Sequence, residues 1–117
     1  MREILFRGKQ LGDGKWVDGS YLSFCGEEYW HIIVDKEGQY RLVDPKTVGQ
    51  FTGLTDKNGK RIFEGDILSL RTGKPHLVKF EEGGFVLTDT AIPFRYADKF
   101  EVIGNIHDNP ELMDGKL

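Results

Sequence analysis

Short apolar and β-branched runs alternate along the chain with polar, glycine-containing turns. Such runs are typical of β-strands, and the spacing of the turns leaves little room for long helix. The pattern therefore predicts a mainly β protein built from antiparallel hairpins. We expect its strands near residues 3–7, 16–24, 29–34, 39–43, 62–70, 77–80, 85–88 and 100–106.

The turn residues sharpen this prediction in the stretch Gln50–Leu68. Asn58-Gly59 tolerates positive φ and lies between apolar residues, which is a hairpin signal. Glu64-Gly65-Asp66 interrupts the next apolar run, so a sharp kink is expected there, with Asp66 bonding backbone amides. Turns are also expected at Asp18-Gly19 and at Asp35–Gly38, the latter closing a hairpin in the N-terminal half.

The only helix signal comes at the end of the chain. Asn109 is a good N-cap and Pro110 fits the first helical position, so a short helical turn is expected from Pro110. The apolar positions that we expect to supply most of the core are Trp16, Tyr21, Trp30, Ile32, Phe63, Ile67, Val78, Phe80, Phe85, Val102 and Ile106.

Composition limits the class of protein. A chain of 117 residues with 38% hydrophobic content can bury one core, so one domain or two small subdomains sharing a core is expected. The net charge of −3 disfavours tight non-specific binding to nucleic acid. A single cysteine, Cys25, excludes an intrachain disulfide, and neither a signal peptide nor an apolar run of membrane-spanning length occurs. A cytoplasmic location is expected.

Candidate catalytic groups do not converge in the sequence. His31, His76 and His107 lack the local spacing of zinc ligands, and Cys25 has no nearby base, so structural roles are expected for all four. Acidic residues leave one alternative open, a magnesium-dependent nuclease that uses Asp66, Glu81 and Glu82. We expect a protein that is not an enzyme and needs no cofactor or metal.

Basic residues cluster in two loops that flank a predicted strand pair. Small β-barrels often bind nucleic acid through such loops, although surface lysines at turns commonly serve only solubility. The candidate nucleic-acid-binding residues are Lys57, Lys60, Arg61, Arg71 and Lys74.

Five segments, in order along the whole chain, resemble the YopX family of phage and prophage proteins. These are Arg2–Gly8, Phe51–Leu54, Asp56–Lys60, Glu64–Ile67 and Val102–Leu112. The resemblance implies a complex, strongly bent sheet whose C-terminal half is similar to an SH3-like barrel, and a tendency to self-associate. It implies no catalytic residue, and residues 13–45 carry least of it.

Together these observations predict one compact unit with a shared core, made of an N-terminal β-hairpin subdomain (1–49) and an SH3-like barrel subdomain (50–117). The expected function is that of a phage-derived or prophage-derived binding or assembly module in the host cytoplasm. Its expected partners are further copies of itself, or a host or phage protein. Nucleic-acid binding through the basic loops is the alternative, and net charge disfavours it.

Overall fold

The computed structural model describes residues 3–25, 29–71 and 73–114, with the backbone alone for residues 24, 25 and 29. It divides into two compact units, Met1–Phe51 (unit 1) and Thr52–Leu117 (unit 2). The strands of the described residues are β1 Phe6–Lys9, β2 Trp16–Cys25, β3 Tyr29–Val34, β4 Tyr40–Leu42, β5 Gly49–Thr55, β6 Arg61–Phe63, β7 Asp66–Ser69, β8 Pro75–Glu81, β9 Gly84–Leu87 and β10 Glu101–Asn105. The chain is mainly β, as the alternation predicted.

Unit 1 is an antiparallel sheet in which β4, β3, β2, β1 and the start of β5 lie side by side. The predicted hairpin of the N-terminal half is present, because β3 pairs with β4 and Val34 lies opposite Tyr40. An isolated bridge between Gln10 and Val43 also joins the chain after β1 to the chain after β4. Ile33 and Val43 are fully buried and form the centre of the unit.

The turn predicted at Asp18-Gly19 is wrong. Both residues lie within β2, where Asp18 pairs with Arg7 and Gly19 pairs with Phe6 of β1. An aspartate and a glycine can therefore occupy a strand here, because pairing with β1 holds the backbone extended.

Unit 2 contains an antiparallel sheet of order β10-β7-β8-β9, and the end of β5 pairs with β6. A 3₁₀ helix, Phe94–Lys99, connects β9 to β10. The buried residues that pack together in this unit are Ile62, Leu68, Val78, Leu87, Ala97 and Phe100. Both sheets are open in the described residues, so the barrel remains a prediction.

The predicted kink divides what the sequence suggested was one strand, 62–70, into β6 and β7. Gly65 takes a φ of 95° at the bend. Asp66 is 1% exposed, and one of its carboxylate oxygens accepts a hydrogen bond of 2.8 Å from the Phe63 amide. The expected role of Asp66 as an acceptor for backbone amides at the kink is confirmed.

The predicted core is correct in part. Ile32, Phe63, Ile67 and Val78 are buried, whereas Trp30 is 41% exposed and Phe80 is 51% exposed. Trp16, Tyr21, Phe85, Val102 and Ile106 are half-buried, so these five belong to the margin of the core.

The C-terminal segment contains the short helix α1, Glu111–Asp114, close to the predicted position. The Asn109 carbonyl accepts a hydrogen bond of 3.0 Å from the Leu112 amide, and its Oδ1 accepts one from the Asn105 amide. In the described part of the chain, no helix has the length and apolar character needed to cross a bilayer. The Cys25 side chain lies outside the described residues.

Candidate functional site

The first group of predicted site residues lies on the turn between β5 and β6, which Asp56 organises. Its Oδ1 accepts hydrogen bonds from the amides of Asn58 (2.8 Å) and Lys60 (2.9 Å). Its Oδ2 accepts a third, of 2.9 Å, from the amide of Val102 in β10. One buried carboxylate thus shapes the turn and ties it to a strand 46 residues away.

This environment also sets the ionisation of Asp56. Burial by itself would raise the pKa of the carboxyl, but the amides of Val102, Lys60 and Asn58 stabilise the charged form more strongly. The pKa of Asp56 therefore lies below its usual value of 3.8, and the carboxylate is charged at neutral pH.

The turn presents three predicted cations, Lys57, Lys60 and Arg61, all exposed. The Lys57 amide donates to the Phe100 carbonyl (2.9 Å), and Lys57 Nζ lies 4.0 Å from Glu101 Oε1. The first residues of β10 therefore lie directly against the turn.

The second group, Arg71 and Lys74, lies on the loop between β7 and β8. The Ser69 hydroxyl lies within hydrogen-bonding distance of the carbonyls of Arg71 (3.2 Å) and Gly73 (3.0 Å), so both residues stay close to the end of β7. Lys74 Nζ lies 3.8 Å from Asp89 Oδ2.

Sheet register brings the two groups to the same end of unit 2. Glu101, which contacts Lys57, pairs with Ser69 across β10 and β7. Because these strands are antiparallel, the start of β10 and the end of β7 coincide. The structure thus places the five predicted cations at one end of the sheet, with Arg61 at the start of β6 and the other four on the two loops. Their binding role stays a prediction.

The acidic residues of the nuclease alternative are placed differently. Asp66 is buried in the kink and already accepts an amide hydrogen bond. Glu81 and Glu82 lie exposed at the turn between β8 and β9, and Glu81 pairs with Lys79 at 3.2 Å. A metal ion would have to compete with the amide that holds Asp66 in the kink.

His31 and His76 are hydrogen bonded within the fold. Tyr21 Oη and His31 Nδ1 are hydrogen bonded at 2.7 Å, and His76 Nδ1 lies 2.6 Å from the Thr88 carbonyl oxygen. Among the described side chains, no three His, Cys, Asp or Glu residues gather in the manner of metal ligands.

Unit 1 also has an apolar surface that we did not predict from the sequence. Cross-strand partners in an antiparallel sheet project to the same face. Leu22 pairs with Ile32, Ile32 with Leu42, and Val34 with Tyr40, while Trp30 precedes Ile32 by two positions. We call this set the outer apolar face: Leu22, Trp30, Ile32, Val34, Tyr40 and Leu42.

The outer apolar face is open to solvent at its margins. Leu22 is 44% exposed, Trp30 41%, Tyr40 69% and Leu42 41%, whereas Ile32, between two leucines, is 7% exposed. On the opposite face Ile33 is fully buried. The signal was present in the sequence, because β3 has apolar residues at successive positions and therefore on both faces.

Comparisons with known proteins agree with this architecture. No curated protein matches the sequence. The crystal structure of protein EF1440 from Enterococcus faecalis superposes with a TM-score of 0.63 at 23% identity, covering 97% of this chain and 99% of that one, and so has the same fold. Residues 5–114 match the YopX protein family. This match spans nearly the whole chain and confirms the resemblance of the five sequence motifs: the chain belongs to the YopX family.

Proposed function

We propose that this protein is a non-enzymatic assembly module that associates with a second copy of itself through the outer apolar face of unit 1. The observation that carries the proposal is the one-sided exposure of Leu22, Trp30, Tyr40 and Leu42. We propose further that the protein is of phage or prophage origin and acts in the host cytoplasm. Its C-terminal half is proposed to have an SH3-like arrangement.

The physical reason is the cost of leaving such a face in water. An antiparallel sheet with one solvated face normally carries polar side chains there, and contiguous exposed apolar surface marks an interaction site. Burial of apolar area contributes roughly 25 cal/mol per Å², so covering this face stabilises a complex. The buried Ile32 at its centre and aromatic Trp30 and Tyr40 at its margin fit the usual composition of an interface core.

A second copy is a suitable occupant because the outer apolar face is uncharged, and the neighbouring Ser20, opposite Val34, is uncharged as well. None of its six side chains carries a charge, so two copies meet without like-charge repulsion. Two sheets can pack face to face about 10 Å apart around a two-fold axis, in which each copy contributes the same residues.

The placement of the acids supports a function that is not enzymatic. Asp66 contributes to the kink through its bond to the Phe63 amide, and Glu81 and Glu82 are solvated at a turn. Magnesium-dependent cleavage of DNA that is lost in a folded Glu81→Gln, Glu82→Gln variant would overturn this part of the proposal.

Light scattering coupled to size exclusion tests the self-association over a range of protein concentrations. The wild-type chain, of 13.4 kDa, should approach twice that mass as concentration rises. A Tyr40→Lys, Leu42→Lys variant should remain monomeric, because it places two charges on the outer apolar face.

The matched control is Ile103→Lys, which adds a charge at a residue of unit 2 with similar exposure, 40%. It should dimerise like the wild type. A wild-type chain that stays monomeric at the highest concentration, or an Ile103→Lys variant that loses dimers equally, would refute the proposal.

A further inference from the structure

The two ends of the four-stranded sheet in unit 2 carry opposite charge. At one end lie the described loop residues 70, 71, 73 and 74, the turn 56–60 with the following Arg61, and the start of β10. We call this the basic end; its cations are Lys57, Lys60, Arg61, Arg71, Lys74 and Lys99, and its exposed or half-exposed acids are Asp89, Asp98 and Glu101. Asp56 also lies here, but its carboxylate is buried and fully engaged with backbone amides.

The opposite end is formed by the kink before β7, the turn between β8 and β9, and the chain after β10. Its charged residues are mostly acidic: Glu64, Glu81, Glu82 and Asp108, with Lys79 beside Glu81. The overall charge of −3 therefore conceals a separation of charge within one unit.

The distance between the ends decides which charge a ligand experiences. β8 has seven residues, and at about 3.3 Å per residue the sheet is roughly 20 Å long. The Debye length at physiological ionic strength is about 8 Å. Acids at the far end are consequently screened from a ligand at the basic end, and the argument from net charge against nucleic acid does not apply there.

Lys57 and Lys74 of the basic end lie beside the carboxylates of Glu101 and Asp89, respectively. Both pairs are exposed, and the separations are 4.0 and 3.8 Å. Such pairs contribute little stability, so a phosphate can displace the carboxylate at small cost.

We propose that the basic end binds the phosphate backbone of duplex DNA without reading its sequence. Arg61 and Arg71 supply planar guanidinium groups that match phosphate geometry, and the lysines supply point charges around them. The segments 56–61 and 70–74 contain no aromatic residue, so they offer no ring on which an unpaired base could stack. This chemistry favours the duplex, which presents phosphates at high density.

Fluorescence anisotropy with a labelled duplex of about 20 base pairs tests the proposal across a salt series. We expect dissociation constants of roughly 10⁻⁴ to 10⁻⁶ M at physiological salt, and tighter binding at low salt. A Lys60→Glu, Arg61→Glu variant should weaken binding at least about tenfold at low salt. It should also reduce the slope of log K against log salt by about 0.9 for each lost phosphate contact.

The control variant is Lys36→Glu, Lys79→Glu, which changes the net charge equally but leaves the basic end intact. Both replaced lysines are exposed, one on the β3–β4 turn of unit 1 and the other at the acidic end of unit 2. Its binding should stay within about twofold of the wild type. Equal losses in both variants would show that net charge alone acts, and would overturn the proposed site.

Two further outcomes also overturn the proposal: no duplex binding by the wild type at low salt, or tighter binding of a single-stranded oligonucleotide than of the duplex. If circular dichroism shows that the charge-reversal variant is unfolded, Lys60→Gln with Lys99→Gln replaces it, with Lys36→Gln and Lys79→Gln as control. Because the outer apolar face belongs to unit 1, the Tyr40→Lys, Leu42→Lys variant should retain its intrinsic DNA contacts, which separates this test from that of self-association.

Discussion

Residues 35–39 of unit 1 and residues 56–60 of unit 2 form turns with the same hydrogen bonds. Each begins with Asp-Lys and has glycine fourth, with φ of 83° at Gly38 and 85° at Gly59. In each, the aspartate Oδ1 accepts from the amides of the third and fifth residues. The backbone bonds also correspond, since the aspartate amide donates to the fifth residue and the glycine amide donates to the aspartate.

The turns differ in the partner of the second carboxylate oxygen. Asp35 Oδ2 accepts from Nε of Arg41, six residues away on the same hairpin. Asp56 Oδ2 accepts from the Val102 amide, 46 residues away in another strand. The same five-residue design is therefore a local turn in unit 1 and a long-range connection in unit 2, where it holds the basic end together.

The two turns should differ most in the free energy of unfolding that is lost when the aspartate Oδ2 is replaced. In Asp56→Asn the Oδ1 acceptor can remain, but an NH₂ group would face the Val102 amide and leave a buried donor unsatisfied. We expect a loss of about 1–3 kcal/mol, and about 2–4 kcal/mol for Asp56→Ala, measured by urea unfolding. Asp35→Asn should lose less, because the partly exposed Arg41 can bond to water.

The pH dependence of unfolding tests whether the charged, hydrogen-bonded carboxylate of Asp56 causes this loss of stability. The pKa of Asp56 is lowered in the folded state, so its contribution is present above the unfolded value near 3.8 and is lost as pH falls through the folded value. The stability difference between wild type and Asp56→Asn should therefore be constant from pH 7 to 5 and shrink below pH 3.8. A difference that grows in acid would contradict the hydrogen-bonded carboxylate.

Gly38→Ala and Gly59→Ala should each lower the free energy of unfolding by the same amount, and by less than Asp56→Ala. Both glycines have positive φ, and a Cβ at either position would meet open space, so only backbone strain separates glycine from alanine. Each substitution should cost about 1–2 kcal/mol by urea unfolding. Unequal costs would show that the shared design is not equivalent in the two units, and Gly84→Ala, with neither strain nor crowding, serves as control.

Sequence patterns identified these turns and most strands, because turn chemistry and alternation are local. They missed β5, Gly49–Thr55, whose glycines, glutamine and threonines lack a clear strand pattern and whose start is held by pairing with distant β1. They also misplaced Trp30 and Phe80, since burial depends on which face of a strand another element covers.

The candidate sites, too, could be predicted from the sequence only in part. The five basic residues could be named from the sequence, but their common location follows from the pairing of Glu101 with Ser69 and from the Asp56–Val102 bond. Likewise, the outer apolar face depends on the registers of β2, β3 and β4. These are long-range relations that no window of neighbouring residues contains.

The smallest loss of stability is expected from replacing Arg41, which holds the 35–39 turn of unit 1 from within the same hairpin. Arg41 Nε donates to Asp35 Oδ2 (3.0 Å), and its Nη2 donates to Gln39 Oε1 (2.7 Å), on a side chain that is 40% exposed. The Arg41 side of this ion pair is solvated, although the Asp35 side chain is only 9% exposed, and ion pairs open to water contribute little. Arg41→Gln should therefore lower Tm by no more than about 2 °C, and the decrease should shrink in high salt. Arg41→Lys, which keeps the charge but loses the planar fork, serves as control. If Arg41→Gln lost as much stability as Asp56→Asn, the turn of unit 1 would also act as a long-range connection. The distinction between the two turns would then fail.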